Sequence, residues 1–280
     1  MKHHLKVFNV QHGACALHTV ITDSGTRWDA MIDCGHMNND RGKWFPGDYL
    51  RSEGVKSLDL LIVSNLDEDH VSGLPNLLAS GIPIRHIFSN PTVSTSDIKK
   101  LKKQYGMGAG IEALVKLLSA GTIPFKLPDY FPGVFFQCFW NQYPSEFDDE
   151  NNLSVLTSQK FEGHRFLFTG DMECEGFTHK LKKSPSLQQL VPNIEMFIAP
   201  HHGRENGICP ALFDDYGCKP RLVIISDDYM QYDTQDTCAY YRGKATGHPF
   251  KSEGKTRYVL TTRSDGTIDF MPIGVSLYVY

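Results

Sequence analysis

Residues Leu58-Asp59-Leu60-Leu61-Ile62-Val63 run directly into Ser64-Asn65-Leu66-Asp67-Glu68-Asp69-His70, and the prediction of the fold rests first on these thirteen residues. The first part is almost wholly apolar and stops at polar residues, which is typical of a buried strand in an α/β sheet. The loop after it carries three side chains that can bind metal, Asp67, Asp69 and His70. Because a turn lets neighbouring carboxylates and imidazoles converge, the stretch predicts a metal site at the end of a strand.

Two later fragments have the same character. Phe168-Thr169-Gly170-Asp171 ends in a carboxylate, and Ala199-Pro200-His201-His202-Gly203 carries a histidine pair, each after a strand-like run. A hydrolytic metal needs deprotonated ligands and one position open to water, and neutral imidazole and carboxylate provide this. Taken alone, the acidic tract is explained equally well as a solvated turn with a surface histidine. Three such clusters at strand ends favour one shared metal site instead.

The periodicity of the remaining sequence predicts strands and helices that alternate in both halves of the chain. After the metal loop, a short helix is expected at 73–79 and a returning strand at 82–88. Residues 111–120 carry apolar side chains at helical spacing, which indicates a helix packed on the core. No change of composition marks a linker, so one domain is expected over residues 1–280.

The order and spacing of these fragments resemble the metallo-β-lactamase-fold hydrolases, and within them the branch typified by the hydrolase domain of competence-type DNA uptake proteins. The resemblance spans most of the chain. It rests on an opening strand and turn, a second-strand Asp-x-Gly, the metal loop, an Asn-Asn-x-Ser strand, a bridging-aspartate motif and a double histidine. These motifs are Val7-Phe8-Asn9-Val10-Gln11-His12-Gly13-Ala14, Met31-Ile32-Asp33-Cys34-Gly35, residues 64–70, Asn151-Asn152-Leu153-Ser154-Val155, Leu167-Phe168-Thr169-Gly170-Asp171 and Ala199-Pro200-His201-His202-Gly203.

The resemblance implies an α/β fold, a metallo-β-lactamase-like αββα sandwich with two facing mixed sheets and helices outside. It implies a divalent metal cofactor, zinc or manganese, as one or two ions. The implied catalytic residues are Asp69, which would orient water and ligate, and His202, which would donate a proton or contact substrate. His201 and His202 could exchange roles. The implied metal ligands are Asp67, Asp69, His70, Asp171 and His201.

The sequence departs from the family pattern at the first metal position. Asn65 and Asp67 replace the two leading histidines of the usual metal loop, and Ser154 stands where many relatives have a further histidine. Amide and carboxylate oxygens make a harder site, so manganese or magnesium becomes as plausible there as zinc. The second position keeps its ligand types, which makes one metal the simpler expectation. Asp33 either braces a metal-binding histidine through a hydrogen bond or is purely structural.

The composition fits an ordinary enzyme. With 280 residues and 41% hydrophobic content, the chain can bury a core of full size. No leader-like apolar stretch follows the first residues and no apolar run approaches the length of a membrane span, so we expect a cytoplasmic location and no membrane partner. The seven cysteines form no Cys-x-x-Cys pair, which favours reduced thiols over a disulfide framework.

A net charge of −4 argues against a broad basic face that wraps duplex nucleic acid, but it permits a local groove for a short strand. Four lysines, Lys99, Lys100, Lys102 and Lys103, lie on a predicted helix. A solvated helix face is the simpler interpretation of this cluster, and contact with phosphate or an anionic partner is the alternative.

The leading hypothesis for function is a metal-dependent hydrolase, a phosphodiesterase or nuclease that uses a metal-activated water. Its substrate would be a phosphodiester in single-stranded nucleic acid or in a nucleotide. The same fold also hydrolyses acyl substrates, so an acyl or peptide metallohydrolase is the enzymatic alternative. The changes at the first metal position leave a third hypothesis, a degenerate protein that acts as a binding partner within a larger assembly.

Overall fold

The computed structural model describes residues 1–104, 106–230, 233–250, 254–274 and 276–280. The strands are β1 Lys2–Val7, β2 Cys15–Ile21, β3 Arg27–Cys34, β4 Met37–Asn39, β5 Gly42–Trp44, β6 Leu60–Ile62, β7 Ile87–Phe88, β8 Phe135–Phe139, β9 Leu156–Phe161, β10 His164–Phe168, β11 Met196–Ile198, β12 Leu222–Ile225, β13 His248–Phe250, β14 Lys255–Arg257, β15 Val259–Thr261, β16 Ile268–Ile273 and β17 Ser276–Val279. The helices are α1 Pro46–Ser52, α2 Glu68–Val71, α3 Leu74–Ala79, α4 Thr95–Leu101, α5 Ala109–Ala120, α6 Cys174–Lys183, α7 Pro185–Leu190, α8 Pro210–Asp214, α9 Cys238–Lys244 and α10 Thr262–Asp265.

Most strands belong to two mixed sheets. The first sheet has the order β17-β16-β1-β2-β3-β6-β7, and the second has the order β15-β12-β11-β10-β9-β8. In the first sheet β3 pairs antiparallel with β2 but parallel with β6. In the second sheet β10 pairs antiparallel with β9 but parallel with β11. Both sheets therefore bring the ends of parallel strands to one edge, where the loops after β3, β6, β10 and β11 emerge.

Three groups of buried side chains hold the layers together. The first fills the space between the sheets and includes Val7 and Phe270 from one sheet and Phe166 from the other. The second packs α1, α3, α4 and α5 on the outer side of the first sheet, and the third packs α6 to α9 on the outer side of the second. This arrangement confirms the predicted αββα sandwich, and burial of these apolar faces is the main stabilising contribution.

Element boundaries follow local chemistry. Helix α4 begins after Ser94, whose hydroxyl accepts a hydrogen bond from the amide of Asp97, while the Asp97 carboxylate accepts one from the Ser94 amide.

The predicted strand at 82–88 is shorter than expected, since only Ile87–Phe88 is a strand. Pro83 has no N–H to donate to a ladder, and the chain before β7 contacts the neighbouring segment through one isolated bridge from Leu58 to Ile84.

The four lysines in and directly after α4 are not uniformly solvated, which corrects the simpler interpretation for one of them. The Lys102 side chain is only 6% exposed, and its Nζ lies 2.9 Å from Asp67 Oδ1 and 3.1 Å from Glu150 Oε1. Lys100 is exposed and pairs with Asp97 on its own helix. Because Lys102 is already neutralised by two carboxylates, it is a structural cation in this fold.

None of the helices in the described part of the chain has the length and apolar character needed to cross a bilayer.

Candidate metal centre

The metal loop is positioned by backbone contacts at the end of β6. Asp67 caps α2, since its Oδ1 accepts a hydrogen bond of 2.8 Å from the amide of Glu68. Helix α2 then carries Asp69 and His70 towards the space between the sheets. The loop also presses against the end of β3, where a Cβ added to Gly35 would lie 2.5 Å from the Asp69 carbonyl oxygen. Glycine is therefore required at this close approach.

Four side chains meet at this edge of the sandwich, namely Asp69, His70, Asp171 and His202. His70 Nε2 lies 3.1 Å from Asp171 Oδ1 and 4.0 Å from Asp69 Oδ1. His202 Nε2 lies 3.0 Å from Asp69 Oδ2 and 3.7 Å from Asp171 Oδ1. One donor atom from each residue lies within 4.8 Å of the other three. The first sheet supplies Asp69 and His70, and the second supplies Asp171 after β10 and His202 after β11.

In each of the two clustered histidines, the ring nitrogen that faces away from the cluster, Nδ1, makes a hydrogen bond. His70 Nδ1 donates to Asp33 Oδ2 over 2.9 Å, and Asp33 in turn accepts from the Ser64 amide and hydroxyl over 2.7 and 2.5 Å. His202 Nδ1 donates to the carbonyl of Ser226 over 2.9 Å. These bonds fix both rings so that Nε2 is the nitrogen with a free lone pair. The geometry supports the bracing role for Asp33.

The residues present fit a divalent metal. His70 Nε2 and His202 Nε2 are buried, and within the described residues neither makes a well-aligned hydrogen bond, although they lie 3.1 and 3.0 Å from carboxylate oxygens. Buried polar atoms normally find a partner, so two orphaned ring nitrogens aimed at one point indicate a ligand. Two imidazoles and two carboxylates are a donor set suited to zinc, manganese or iron.

The clustered groups perturb one another electrostatically. Burial by itself would raise the pKa of the two carboxyl groups, but the combined effect of the facing histidines is larger. The pKa of Asp69 is therefore lowered to about 2, and that of Asp171 lies below its usual range. Burial likewise opposes protonation of His202, yet Asp171 and Asp69 raise its pKa to about 9. A cation therefore competes with protons for this cluster, and metal binding must release them.

An unusual turn brings His202 into the cluster. His201, His202 and Gly203 all have positive φ angles, of 50°, 52° and 73°. Residues other than glycine rarely adopt this left-handed backbone conformation, so contacts with the surrounding structure must stabilise it. The His201 amide donates to the Gly170 carbonyl over 3.1 Å, and Thr237 Oγ1 donates to the Gly203 carbonyl over 2.5 Å. The turn is thereby tied to the loop that carries Asp171.

Two predicted ligands lie outside the cluster of four. Asp67 is turned away because its carboxylate caps α2 and pairs with Lys102. His201 points to the other side of the turn, where its Nδ1 lies 3.8 Å from Glu173 Oε1. The structure thus places His202 where the prediction had placed His201, because the left-handed turn aims consecutive side chains in different directions.

The remaining residues of the first metal position are engaged in structural contacts. Asn65 Oδ1 accepts from the Leu66 amide over 2.6 Å, and its amide group donates to Asn151 Oδ1 over 3.2 Å. Ser154 Oγ accepts a 3.1 Å hydrogen bond from the Asp171 amide. Both side chains orient the loops that carry the cluster.

The mouth of the site contains residues that the sequence did not single out. The ring of His12 lies 5.0 Å from the ring of His202, and Arg204 Nη2 lies 3.5 Å from His12 Nε2. Partial desolvation lowers the pKa of both His12 and His201, so these imidazoles are neutral near pH 7. In the sequence, the one signal for Arg204 is its position next to the double histidine. The contact between Arg204 and His12 arises from the tertiary fold and could not be predicted.

No protein-family model matches this chain, and no curated protein sequence matches it. Among solved structures, the chain is similar to CmlA, a diiron β-hydroxylase from Streptomyces venezuelae, with a TM-score of 0.51 and 11% sequence identity. That match covers 93% of this chain and 53% of CmlA, so the chain spans about half the length of CmlA.

Two further similar structures match with lower TM-scores. A putative metal-dependent hydrolase from Parabacteroides distasonis has a TM-score of 0.46 and 11% identity, with 92% of this chain and 93% of that chain covered. Zn²⁺-bound PqqB from Methylobacterium extorquens has a TM-score of 0.39 and 12% identity, with 70% and 71% covered. The fold of the chain is the metallo-β-lactamase fold. The closer resemblance to competence-type DNA uptake proteins remains a prediction.

Proposed function

We propose that this protein is a metal-dependent hydrolase that cleaves phosphodiester bonds. The observation that carries the proposal is the buried cluster of Asp69, His70, Asp171 and His202, in which two imidazole nitrogens have no well-aligned hydrogen-bond partner among the residues that the structure describes. Zinc or manganese held there would supply an activated water and stabilise negative charge on oxygen. Because fold alone does not determine chemistry, the proposal rests on this site.

The residues of the chain have distinct tasks in this proposal. Asp69 and Asp171 supply negative charge, and His70 and His202 supply neutral nitrogen donors. Asp33 keeps the His70 proton on Nδ1, and the Ser226 carbonyl does the same for His202, so that each Nε2 stays available. His12 at the mouth is neutral near pH 7, so in this proposal it contacts the substrate or accepts a proton, whereas the sequence had assigned proton donation or substrate contact to His202.

The charge balance of the centre supports an anionic substrate. The four ligand groups, two carboxylates and two neutral imidazoles, match the charge of one divalent cation, so the metal and these ligands together carry no excess negative charge to repel a phosphate group. The whole chain has a net charge of −4, so a nucleic-acid strand or nucleotide would be recruited locally at the mouth. We therefore propose a single-stranded nucleic acid or a nucleotide as the substrate class.

Metal content and hydrolysis measured together test the proposal. Protein purified without chelator should contain about one or more divalent ions per chain and hydrolyse a bis-aryl phosphodiester in zinc or manganese. Asp171→Ala and His202→Ala should lose both metal and activity, whereas His201→Ala should retain the metal. Cleavage of a neutral aryl ester in place of the diester would favour the acyl hydrolase. A wild-type protein that is metal-free and inert with either ion would refute the enzyme and favour the binding partner.

A further inference from the structure

Arg204 has an unusual environment at the mouth of the metal centre. Its Nη1 lies 3.4 Å from His201 Nε2 and its Nη2 lies 3.5 Å from His12 Nε2, while its Nε is buried without a hydrogen-bond partner in the described part of the chain. Within the described residues, no carboxylate oxygen lies within 4.0 Å of this guanidinium. A partly buried, permanently charged group is thus left with two imidazoles as its neighbours.

Most other half-buried arginines of the described chain have acidic partners, and the exception, Arg165, donates to the neutral side-chain oxygens of Gln137 and Ser158. Three of them pair with a nearby carboxylate, and two of these three do so through two guanidinium nitrogens. The pairs are Arg27 with Asp29, Arg257 with Asp265, and Arg263 with Asp227. A buried charge without a counter-ion is costly, so such pairing is the normal solution. The absence of a counter-ion around Arg204, within the part of the chain that the structure describes, indicates that the anion comes from outside.

The position of Arg204 fits an incoming ligand. It follows Gly203 at the end of the left-handed turn, and His12 connects it to the metal centre through the ring of His202, 5.0 Å away. His12 is exposed, whereas the side chains of His70 and Asp171 are only 1% and 5% exposed. The guanidinium therefore lies between bulk solvent and the buried cluster, on the side from which a substrate must enter.

We infer that Arg204, held between His12 and His201, is the subsite that binds the anionic phosphoryl group of the substrate. The planar guanidinium can donate two parallel hydrogen bonds to phosphate oxygens, which fixes orientation as well as supplying charge. The inference rests on the proposed function for its substrate class, a phosphate ester that carries negative charge next to the bond that is cleaved. A neutral acyl substrate would leave Arg204 without a partner.

Binding of inorganic phosphate tests the subsite separately from hydrolysis. Calorimetry would compare wild-type protein, Arg204→Gln, Arg204→Lys and the control Arg51→Gln, each in zinc-loaded and chelator-treated form. Arg51 is an exposed arginine whose partner is Asp48 on its own helix. We expect Arg204→Gln to weaken phosphate binding about ten-fold or more, Arg204→Lys to retain part of it, and the control to match wild type. Thermal unfolding would verify that each variant folds.

A parallel kinetic readout uses the charged substrate. In Arg204→Gln, the KM for a bis-aryl phosphodiester should rise, and Arg204→Lys should recover part of the loss. Phosphate binding that is equal in wild type and folded Arg204→Gln, or absent from wild type in both forms, would overturn the inference. Arg204-dependent phosphate binding by a protein that hydrolyses nothing would instead refute the proposed function and leave the subsite standing.

Discussion

Substituting Asp33 with asparagine should cost metal affinity without disturbing the fold. Asp33 has a φ of 57°, a conformation that asparagine tolerates, so the backbone is preserved. In the variant, the amide oxygen can still accept from the Ser64 amide, but the amide nitrogen then faces His70 Nδ1 and can only donate. His70 would have to move its proton to Nε2, which removes the lone pair that faces Asp171.

The size of the effect follows from what the hydrogen bond does. Partners that orient a metal-binding histidine typically contribute ~10–100-fold in affinity, and the forced change of tautomer places Asp33→Asn at the upper end, about 100-fold or ~2.7 kcal/mol. Zinc affinity measured by competition with a chromophoric chelator gives this number directly. Nitrogen chemical shifts of the histidine rings would show the change of tautomer.

A matched control separates this effect from loss of a buried charge. Asp59 is also buried and also accepts a backbone hydrogen bond, of 2.9 Å from the Asp29 amide, but it touches no residue of the cluster. Asp59→Asn should therefore keep wild-type zinc affinity even if its stability falls. Wild-type zinc affinity in Asp33→Asn would refute the reasoning, because the ring of His70 would then be oriented by something else.

Three further predictions concern stability. Gly35→Ala should destabilise the protein by about 1–3 kcal/mol in urea unfolding, since the new Cβ collides with a backbone carbonyl of the metal loop, whereas Gly243→Ala in open space on α9 should be neutral or stabilising. Burial lowers the pKa of His18 to about 3, so this histidine is neutral in the folded protein. Stability should fall by about 1.6 kcal/mol between pH 6.5 and 5, because the unfolded chain takes up the proton first, and a His18→Gln variant should lose that part of the pH dependence. Lys102→Met should lower the free energy of unfolding by about 2 kcal/mol, because it leaves two carboxylates without their cation. Lys103→Met, at an exposed site, should change it by less than about 0.5 kcal/mol in the same urea unfolding. Equal losses of stability in the two variants would contradict the structural role of Lys102.

Much of the fold could be predicted because the information is local. The apolar run before the metal loop, the Thr169-Gly170-Asp171 motif and the double histidine each mark the end of a buried strand. Strand ends of parallel pairs meet at one edge of a sheet, so the convergence of Asp69, His70 and Asp171 follows from the pattern. Capping residues such as Ser94 also act within a few residues, so the start of α4 has a local cause.

The choice between neighbouring histidines could not be predicted in this way. Which of His201 and His202 faces the cluster depends on the positive φ angles of the turn, and these are imposed by contacts with Gly170 and Thr237. Likewise, the burial of Lys102 depends on carboxylates 35 and 48 positions away along the chain. Contacts of that kind arise from tertiary packing and leave no periodic signal in the sequence.

The cluster takes two of its members from each sheet, and this links metal supply to the cohesion of the two layers. An ion that binds the assembled sandwich but not the separated sheets stabilises their association by RT ln(1 + [M]/Kd), about 4 kcal/mol when free metal is a thousand-fold above Kd. That amount is comparable to the net stability of many domains. The lifetime of the folded protein would therefore follow the concentration of free metal around it, even when no substrate is present.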